Sequence, residues 1–173
     1  MTTTRQVGIK GLHHTAYRCR DSEETRRFYE DFLELPLTVT LELGETKTGR
    51  NCQYLHTFYQ MDDGSFIAFF EAPEMPYEFQ DWHDFDLHIA LEVEHGHMMR
   101  MFEKGKAHGI ETRGVSDHDF IHSIYFRDPN GYVVELTTKQ PNHLEAVNAD
   151  VNGAREKLAA WTAAKASTPS SAS

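Results

Sequence analysis

An internal repeat constrains the fold of this chain more than any other feature of its sequence. Residues 9–72 predict a strand, a helix and three further strands, and residues 85–139 predict the same five elements in the same order. The letters repeat as well, because the tripeptide HTA that begins at His14 corresponds to the tripeptide HIA that begins at His88. The repeat therefore predicts an α+β fold in which two βαβββ modules form a curved mixed sheet around a hollow.

The sequence around the two modules has a different character. We divide the chain into an N-terminal tail (1–8), a first module (9–72), a linker rich in proline and acidic residues (73–84), a second module (85–139) and a C-terminal extension (140–173), all within one structural domain. The extension predicts one or two alanine-rich helices and a disordered tail that begins at Ala166. We expect Leu158 and Trp161 to pack either on the chain's own sheet or against a second copy.

The charge and hydropathy of the chain exclude several classes of protein. The sequence has 17 lysines and arginines against 27 aspartates and glutamates, a net charge of −10, so we expect neither nucleic acid nor a membrane surface as a partner. No apolar run approaches the roughly 18–20 residues that span a bilayer, and Met1–Lys10 lacks the apolar stretch of a secretory signal. With two cysteines, Cys19 and Cys52, the sequence predicts a cytoplasmic protein without a disulfide framework.

The histidines point to metal or proton chemistry, because eleven are more than packing needs in a chain of this size. The first strand of each module begins with one, His14 and His88. Four residues after the turn glycine of the second module stands Glu135, and the corresponding position of the first module is Ala68. If the modules face each other about a pseudo-twofold axis, these four positions converge. Two imidazoles and one carboxylate then form a divalent metal site, a set associated with non-haem Fe(II) that Mn, Zn, Co or Ni can also occupy.

Two neighbouring residues compete for this site. His13 precedes His14, and since strand alternation sends only one of them into the hollow, the correspondence with His88 selects His14. Glu71 lies three residues after Ala68, an odd step along a strand, so we expect its side chain to face away from the site.

Three segments carry a resemblance to a known family. The stretch GLHHTAYRCRDSEETRRFYEDFLELPL resembles the opening of the vicinal oxygen chelate superfamily, in which a strand histidine precedes a helix that contains Phe-Tyr. The stretch YFRDPNGYVVEL resembles the last strand of that superfamily, with its turn and its ligand glutamate. With FDLHIALEV, the resemblance covers residues 9–139. It implies paired βαβββ modules and a metal held by His14, His88 and Glu135.

Within this superfamily, the site pattern is closest to that of the extradiol dioxygenases. Glyoxalase I has a fourth ligand, a glutamate, at the position of Ala68. The dioxygenases use two histidines and one glutamate and place a tyrosine ten residues before that glutamate, as Tyr125 stands before Glu135. The resemblance implies an Fe(II) enzyme that cleaves a catechol-like substrate with dioxygen. A glyoxalase-type lyase, isomerase or epimerase is the alternative, and a drug-binding resistance protein is a further one.

The acid–base group of such an enzyme has several candidates. His118 and His122 lie just before Tyr125, in the segment where the dioxygenases carry a catalytic histidine. The nearest counterpart falls at about Ser116, so His118 is a candidate by proximity. His56, on a central strand of the first module, is a second candidate. Because members of the superfamily are commonly dimers, the resemblance also implies a homodimer.

Overall fold

The computed structural model describes residues 8–45 and 51–167, and these contain the two predicted modules in tandem. The first module comprises β1 (His14–Arg18), α1 (Ser22–Arg26), which continues as a π-helix (Arg27–Phe32), β2 (Leu37–Glu45), β3 (Asn51–Gln60) and β4 (Phe66–Glu71). The second module comprises β5 (His88–Glu92), α2 (His95–Ala107), β6 (Thr112–Asp117), β7 (Ile121–Arg127) and β8 (Val133–Lys139). Two helices follow, α3 (His143–Ala146) and α4 (Ala154–Ser167). The predicted α+β fold of paired βαβββ modules is confirmed.

Each module forms its own four-stranded mixed sheet, and the two sheets have the same topology. The strand orders are β1-β4-β3-β2 and β5-β8-β7-β6, with the first two strands of each sheet parallel and the others antiparallel. The register places Ala68 beside Ala16 in the first sheet and Glu135 beside Ala90 in the second. Ala68 and Glu135 therefore occupy equivalent positions, as the repeat predicts.

The chain leaves β1 through a well-formed helix start. Asp21 caps α1, because its carboxylate accepts a hydrogen bond of 2.8 Å from the backbone N–H of Glu24. The carboxylate of Glu71 accepts a second bond of 2.8 Å from the N–H of Ser22. Glu71 thus serves the helical side of the sheet, which agrees with the expectation that it faces away from the site.

One hydrophobic core joins the helical sides of both modules. Phe28, Tyr29 and Phe32 of the first helical segment are buried in the same cluster as Met98 and Met101 of α2. The modules therefore meet through their helices, and the open face of each sheet points away from this shared core. The two halves of one chain therefore do not enclose the hollow that we expected.

A ring contact and two hydrogen bonds fix the same junction between the modules. The ring of Phe32 meets Phe126 edge-on at 5.1 Å, and the hydroxyl of Tyr29 donates a hydrogen bond of 3.1 Å to Asp128. Lys104 donates a bond of 2.7 Å to the carbonyl of Phe32. Because these contacts link residues far apart in sequence, they hold the two modules in one arrangement.

The C-terminal extension forms the predicted helices, but they do not pack on the sheets as one alternative supposed. Leu158 is 67% exposed and Trp161 is 65% exposed, so packing on the chain's own sheet is wrong for both, and packing against a second copy stays a prediction. Among the helices that the structure describes, none combines the length and apolar character needed to cross a bilayer. The predicted tail from 166 lies mostly outside the described residues.

Candidate metal centre

His88 and Glu135 lie side by side on neighbouring strands of the second sheet. The imidazole Nε2 of His88 stands 3.4 Å from Oε2 of Glu135. Glu135 is only 5% exposed, between strands that contribute apolar neighbours. A buried carboxylate is unfavourable unless a counter-charge or a metal compensates it. Two of the three predicted ligands are therefore together within one chain.

A backbone carbonyl selects the tautomer of the His88 ring. Nδ1 lies 2.7 Å from the carbonyl oxygen of Asp84. Since a carbonyl only accepts, Nδ1 must carry the hydrogen, and in the neutral ring Nε2 then presents a lone pair to Glu135. Two electron-pair donors face each other across 3.4 Å, an arrangement that a shared cation satisfies. The donor set therefore fits a divalent metal.

His14, the third predicted ligand, lies elsewhere in the chain. Its exposed ring on β1 is 6.4 Å from the ring of His56 and 5.6 Å from that of Phe58, and its Nδ1 is 2.8 Å from Nδ1 of His13. Within residues 8–45 and 51–167, no three His, Cys, Asp or Glu side chains form a group that could hold a metal. The expected convergence of His14 with His88 and Glu135 inside one chain is thus absent, because the modules join through their helical sides.

Tyr125 and His118 form a pair next to Glu135. Tyr125 lies directly across from Glu135 on the neighbouring strand β7. Its hydroxyl is 2.8 Å from Nε2 of His118, which lies in the short turn between β6 and β7. Burial raises the pKa of the Tyr125 hydroxyl, and the negative charge of Glu135 raises it further. His122 instead pairs with Asp117 at 3.4 Å.

His56 occupies the first sheet, apart from His118 and Tyr125. It is buried, it stacks on Phe70 with ring centroids 3.6 Å apart, and its Nδ1 lies 2.9 Å from the carbonyl oxygen of Phe69. Burial lowers the pKa of its imidazole, so the ring is neutral at pH 7. His56 and His14 therefore share one side of the first sheet, whereas the other candidates share the second.

Arg113 and Asp84 are two site residues that the sequence did not indicate. The guanidinium of Arg113 donates hydrogen bonds of 2.8 and 2.9 Å to the two carboxylate oxygens of Asp84. It also lies 5.3 Å from the centre of the Tyr125 ring. The contact between Arg113 and Tyr125 follows from the strand register, which places the two residues across from each other and which the sequence alone does not give.

A sequence model of the Glyoxalase/Bleomycin resistance protein/Dioxygenase superfamily matches residues 11–136. The match covers both modules, including His14, His88 and Glu135. The matched region ends at residue 136, within β8, so the C-terminal helices lie outside it.

Solved structures share the fold at low sequence identity. A glyoxylase/bleomycin resistance protein/dioxygenase domain from Frankia sp. is 18% identical over 76% of this chain and 99% of its own, with a TM-score of 0.62. The fosfomycin resistance protein FosX from Listeria monocytogenes, in complex with Mn(II) and sulfate, is 21% identical over 79% and 98%, with a TM-score of 0.58. TnmS3, an antibiotic binding protein from Streptomyces sp., is 15% identical over 78% and 100%, with a TM-score of 0.56.

Proposed function

Because the chain belongs to the Glyoxalase/Bleomycin resistance protein/Dioxygenase superfamily, we propose that it is a metal-dependent enzyme whose cation is held by His88 and Glu135 of one copy and His14 of a second. The observation that carries this proposal is the facing pair of donors, His88 Nε2 and Glu135 Oε2, at 3.4 Å. The FosX relative in complex with Mn(II) supports a divalent ion as the cofactor.

The need for two copies follows from the positions of the ligands. His14 and the His88–Glu135 pair lie on different sheets, and those sheets are joined through their helical sides. When the open face of the first sheet covers the second sheet of a partner, His14 can complete the pair, and a twofold axis creates two equal sites. We therefore propose a homodimer.

The open face of the first sheet is suited to such burial. Val39, Leu41 and Leu43 of β2 are 38%, 44% and 40% exposed. Alternate residues of a strand share one face, so these three form a continuous apolar stripe. Contiguous apolar surface of this kind is typical of an interface or a binding groove.

The reaction that we favour is extradiol-type cleavage of a catechol-like substrate by dioxygen. Two histidines and one carboxylate with open coordination positions are associated with non-haem Fe(II) oxygenases, and Mn, Zn, Ni and Co are the alternatives. Bound at this site, Fe(II) would supply Lewis acidity and a route for electrons between the substrate and dioxygen.

Tyr125 and His118 would handle the protons of this reaction. Tyr125 is protonated at neutral pH, as tyrosines ordinarily are, so its hydroxyl can donate a hydrogen bond to a substrate oxygen beside Glu135. The hydroxyl can alternatively receive a proton from the substrate and pass its own hydrogen to Nε2 of His118, 2.8 Å away, from which it returns later. The pair thus gives the site both a donor and a base.

Aromatic side chains of the first sheet would form the opposite wall of the pocket. Phe58 and Phe66 pack edge-on at 5.8 Å, and Phe70 stacks on His56. Residues at positions 58, 66 and 70 lie on the same face as His14, because their strand registers align. Such a wall suits a flat aromatic ring, which stacks or packs edge-on against other rings.

A lyase, isomerase or epimerase of the glyoxalase type is the alternative, and His56 is the observation that favours it. His56 is a neutral base on the wall that carries His14. A neutral imidazole in this place can remove a proton from a carbon of the substrate, and a cation held by His14, His88 and Glu135 would supply the Lewis acidity that favours this step. A drug-binding resistance protein, the further alternative, would use the apolar walls without chemistry.

Metal analysis combined with dioxygen uptake tests the proposal. The protein is purified without added metal, analysed for bound elements, loaded with Fe(II) under anaerobic conditions and mixed with a panel of catechols in an oxygen electrode. We expect iron to bind at one equivalent per chain and uptake to depend on the catechol. Bound Mn, Zn, Ni or Co without uptake would favour the lyase or isomerase. Tight ligand binding to the metal-free protein would favour the drug-binding alternative.

A further inference from the structure

The end of the linker is attached to the second sheet immediately before His88. Asp84 makes two contacts in opposite directions: its carboxylate receives the two hydrogen bonds from Arg113, at 2.8 and 2.9 Å, and its backbone carbonyl receives the bond of 2.7 Å from His88 Nδ1. Bidentate pairs between a guanidinium and a carboxylate are strong and fix orientation as well as distance. One residue thus connects the imidazole of His88 to strand β6.

Arg113 is itself held by a chain of charges. Its Nε pairs with Glu111 at 3.2 Å, and the other oxygen of Glu111 pairs with Nε of Arg127 at 3.0 Å. Arg127 is largely buried and donates bonds of 3.0 Å to the carbonyls of Trp82 and Gly131. The anchor of Asp84 is therefore part of a network rather than an isolated surface pair, which would contribute little.

Packing around Asp84 is too sparse to hold its backbone carbonyl in place. Phe85, the next residue, is 93% exposed, and the Asp84 side chain is 27% exposed. The backbone here makes turn hydrogen bonds from Asp86 and Leu87 to the carbonyl of His83, but Asp84 has its specific attachment through Arg113. Its carbonyl decides which nitrogen of His88 carries the hydrogen.

We propose that Asp84 and Arg113 are positioning residues that hold His88 in its Nδ1–H form, with Nε2 turned toward Glu135. This role rests on the proposed metal site. A hydrogen bond to the ring nitrogen that does not bind the metal sets the orientation of a ligand histidine and raises its basicity. Arg113 also borders the Tyr125 ring at 5.3 Å, so the same side chain contacts the residue that we expect to donate a hydrogen bond to the substrate.

Divalent metal affinity tests the proposal in the full-length protein. The binding of Mn(II) alone is measured by electron paramagnetic resonance for the wild type, Asp84→Asn and Arg113→Gln. We expect both variants to bind about tenfold to a hundredfold more weakly. The double variant should bind Mn(II) no more weakly than whichever single variant has the lower affinity, because the two side chains act through one contact.

A matched control comes from the first helical segment. Arg26 makes a bidentate contact with Asp31, at 2.7 and 2.9 Å, outside the candidate metal centre. Asp31→Asn removes a comparable ion pair, and we expect it to leave Mn(II) affinity unchanged. If Asp31→Asn weakens Mn(II) binding as much as Asp84→Asn does, the effect is general and the proposal fails.

The state of the imidazole provides a readout that needs no metal. Long-range ¹⁵N–¹H NMR of the metal-free protein identifies which ring nitrogen of His88 carries hydrogen, with His88→Gln used for assignment. We expect Nδ1–H in the wild type and a mixture of both forms in Asp84→Asn and Arg113→Gln. An unchanged Nδ1–H form in both variants would overturn the proposal. A wild type that binds no Mn(II) would instead contradict the proposed function, while the NMR comparison still decides the role of Asp84 and Arg113.

Discussion

The hydroxyl of Tyr125 and Nε2 of His118 form a hydrogen bond of 2.8 Å beside the buried carboxylate of Glu135. Tyr125 comes from strand β7 and His118 from the turn that precedes it. The strand register puts the tyrosine directly across from the glutamate. Because the hydroxyl can both accept and donate, it can connect a proton on the substrate to the imidazole.

We predict that Tyr125→Phe lowers kcat by about a hundredfold or more while leaving Mn(II) affinity unchanged, because it removes a proton donor and no ligand. Steady-state turnover of the best substrate and Mn(II) titration measure the two effects. Tyr59→Phe is the matched control: Tyr59 is fully buried in the shared core, away from Glu135, so removal of its hydroxyl should leave turnover unchanged. Equal turnover of Tyr125→Phe and the wild type would contradict the catalytic role.

We predict that Gly131→Ala destabilises the fold far more than Gly64→Ala, although the repeat makes the two positions equivalent. Both glycines have positive φ, +99° and +82°, which disfavours any other residue. A Cβ at Gly131 would lie 1.7 Å from the carbonyl oxygen of Gln80, whereas a Cβ at Gly64 meets nothing within 4 Å. We expect losses of at least about 3 kcal/mol and of about 1 kcal/mol in the free energy of unfolding, measured by urea titration. Similar losses would mean that the linker moves away from Gly131 readily.

The sequence predicts much of the candidate site because strand alternation and the repeat determine which positions are equivalent. Ala68 and Glu135 could be matched before any register was known, and the structure confirms that they are equivalent. The way in which the modules join could not be predicted. The repeat is compatible with contact through either face of the sheets, and the choice depends on the packing of Phe32 against Phe126 and of Tyr29 against Asp128.

The contact between Asp84 and Arg113 was beyond prediction for a similar reason. The two residues are 29 positions apart, and Asp84 ends a linker whose path over the second sheet has no periodic pattern. Charged residues are common in the sequence and ion pairs at the surface usually contribute little, so neither side chain stands out. Their importance follows only from the backbone carbonyl that faces His88.

We predict that the chain loses stability above pH 9 through Cys19. Burial raises the pKa of this thiol from 9.0 to about 11. A raised pKa means that the folded state favours the protonated thiol, so the stabilisation is complete below pH 9 and is lost as the pH rises toward 11. The loss should be on the order of 2 kcal/mol. Urea unfolding below pH 9 and near pH 11 should give a smaller pH-dependent loss for Cys19→Ala than for the wild type. An equal loss in Cys19→Ala and the wild type would contradict the prediction.

We predict that two inactive variants recover activity when mixed, because each proposed site takes His14 from one copy and Glu135 from the other. His14→Ala and Glu135→Gln each lack a ligand at every site of their own homodimers. In a mixed dimer, the His14→Ala chain supplies intact His88 and Glu135, and the Glu135→Gln chain supplies intact His14. One of the two sites is then complete, so random exchange of subunits should restore about a quarter of the wild-type Mn(II) sites and activity. Refolding the variants together and separately, followed by Mn(II) titration, measures this recovery.

A mixture of His88→Ala with Glu135→Gln is the control and should recover nothing, because both changes fall on the same half of the site. If neither mixture recovers while each homodimer is folded by circular dichroism, the site does not span two copies, and His14 is not a ligand of the His88–Glu135 metal.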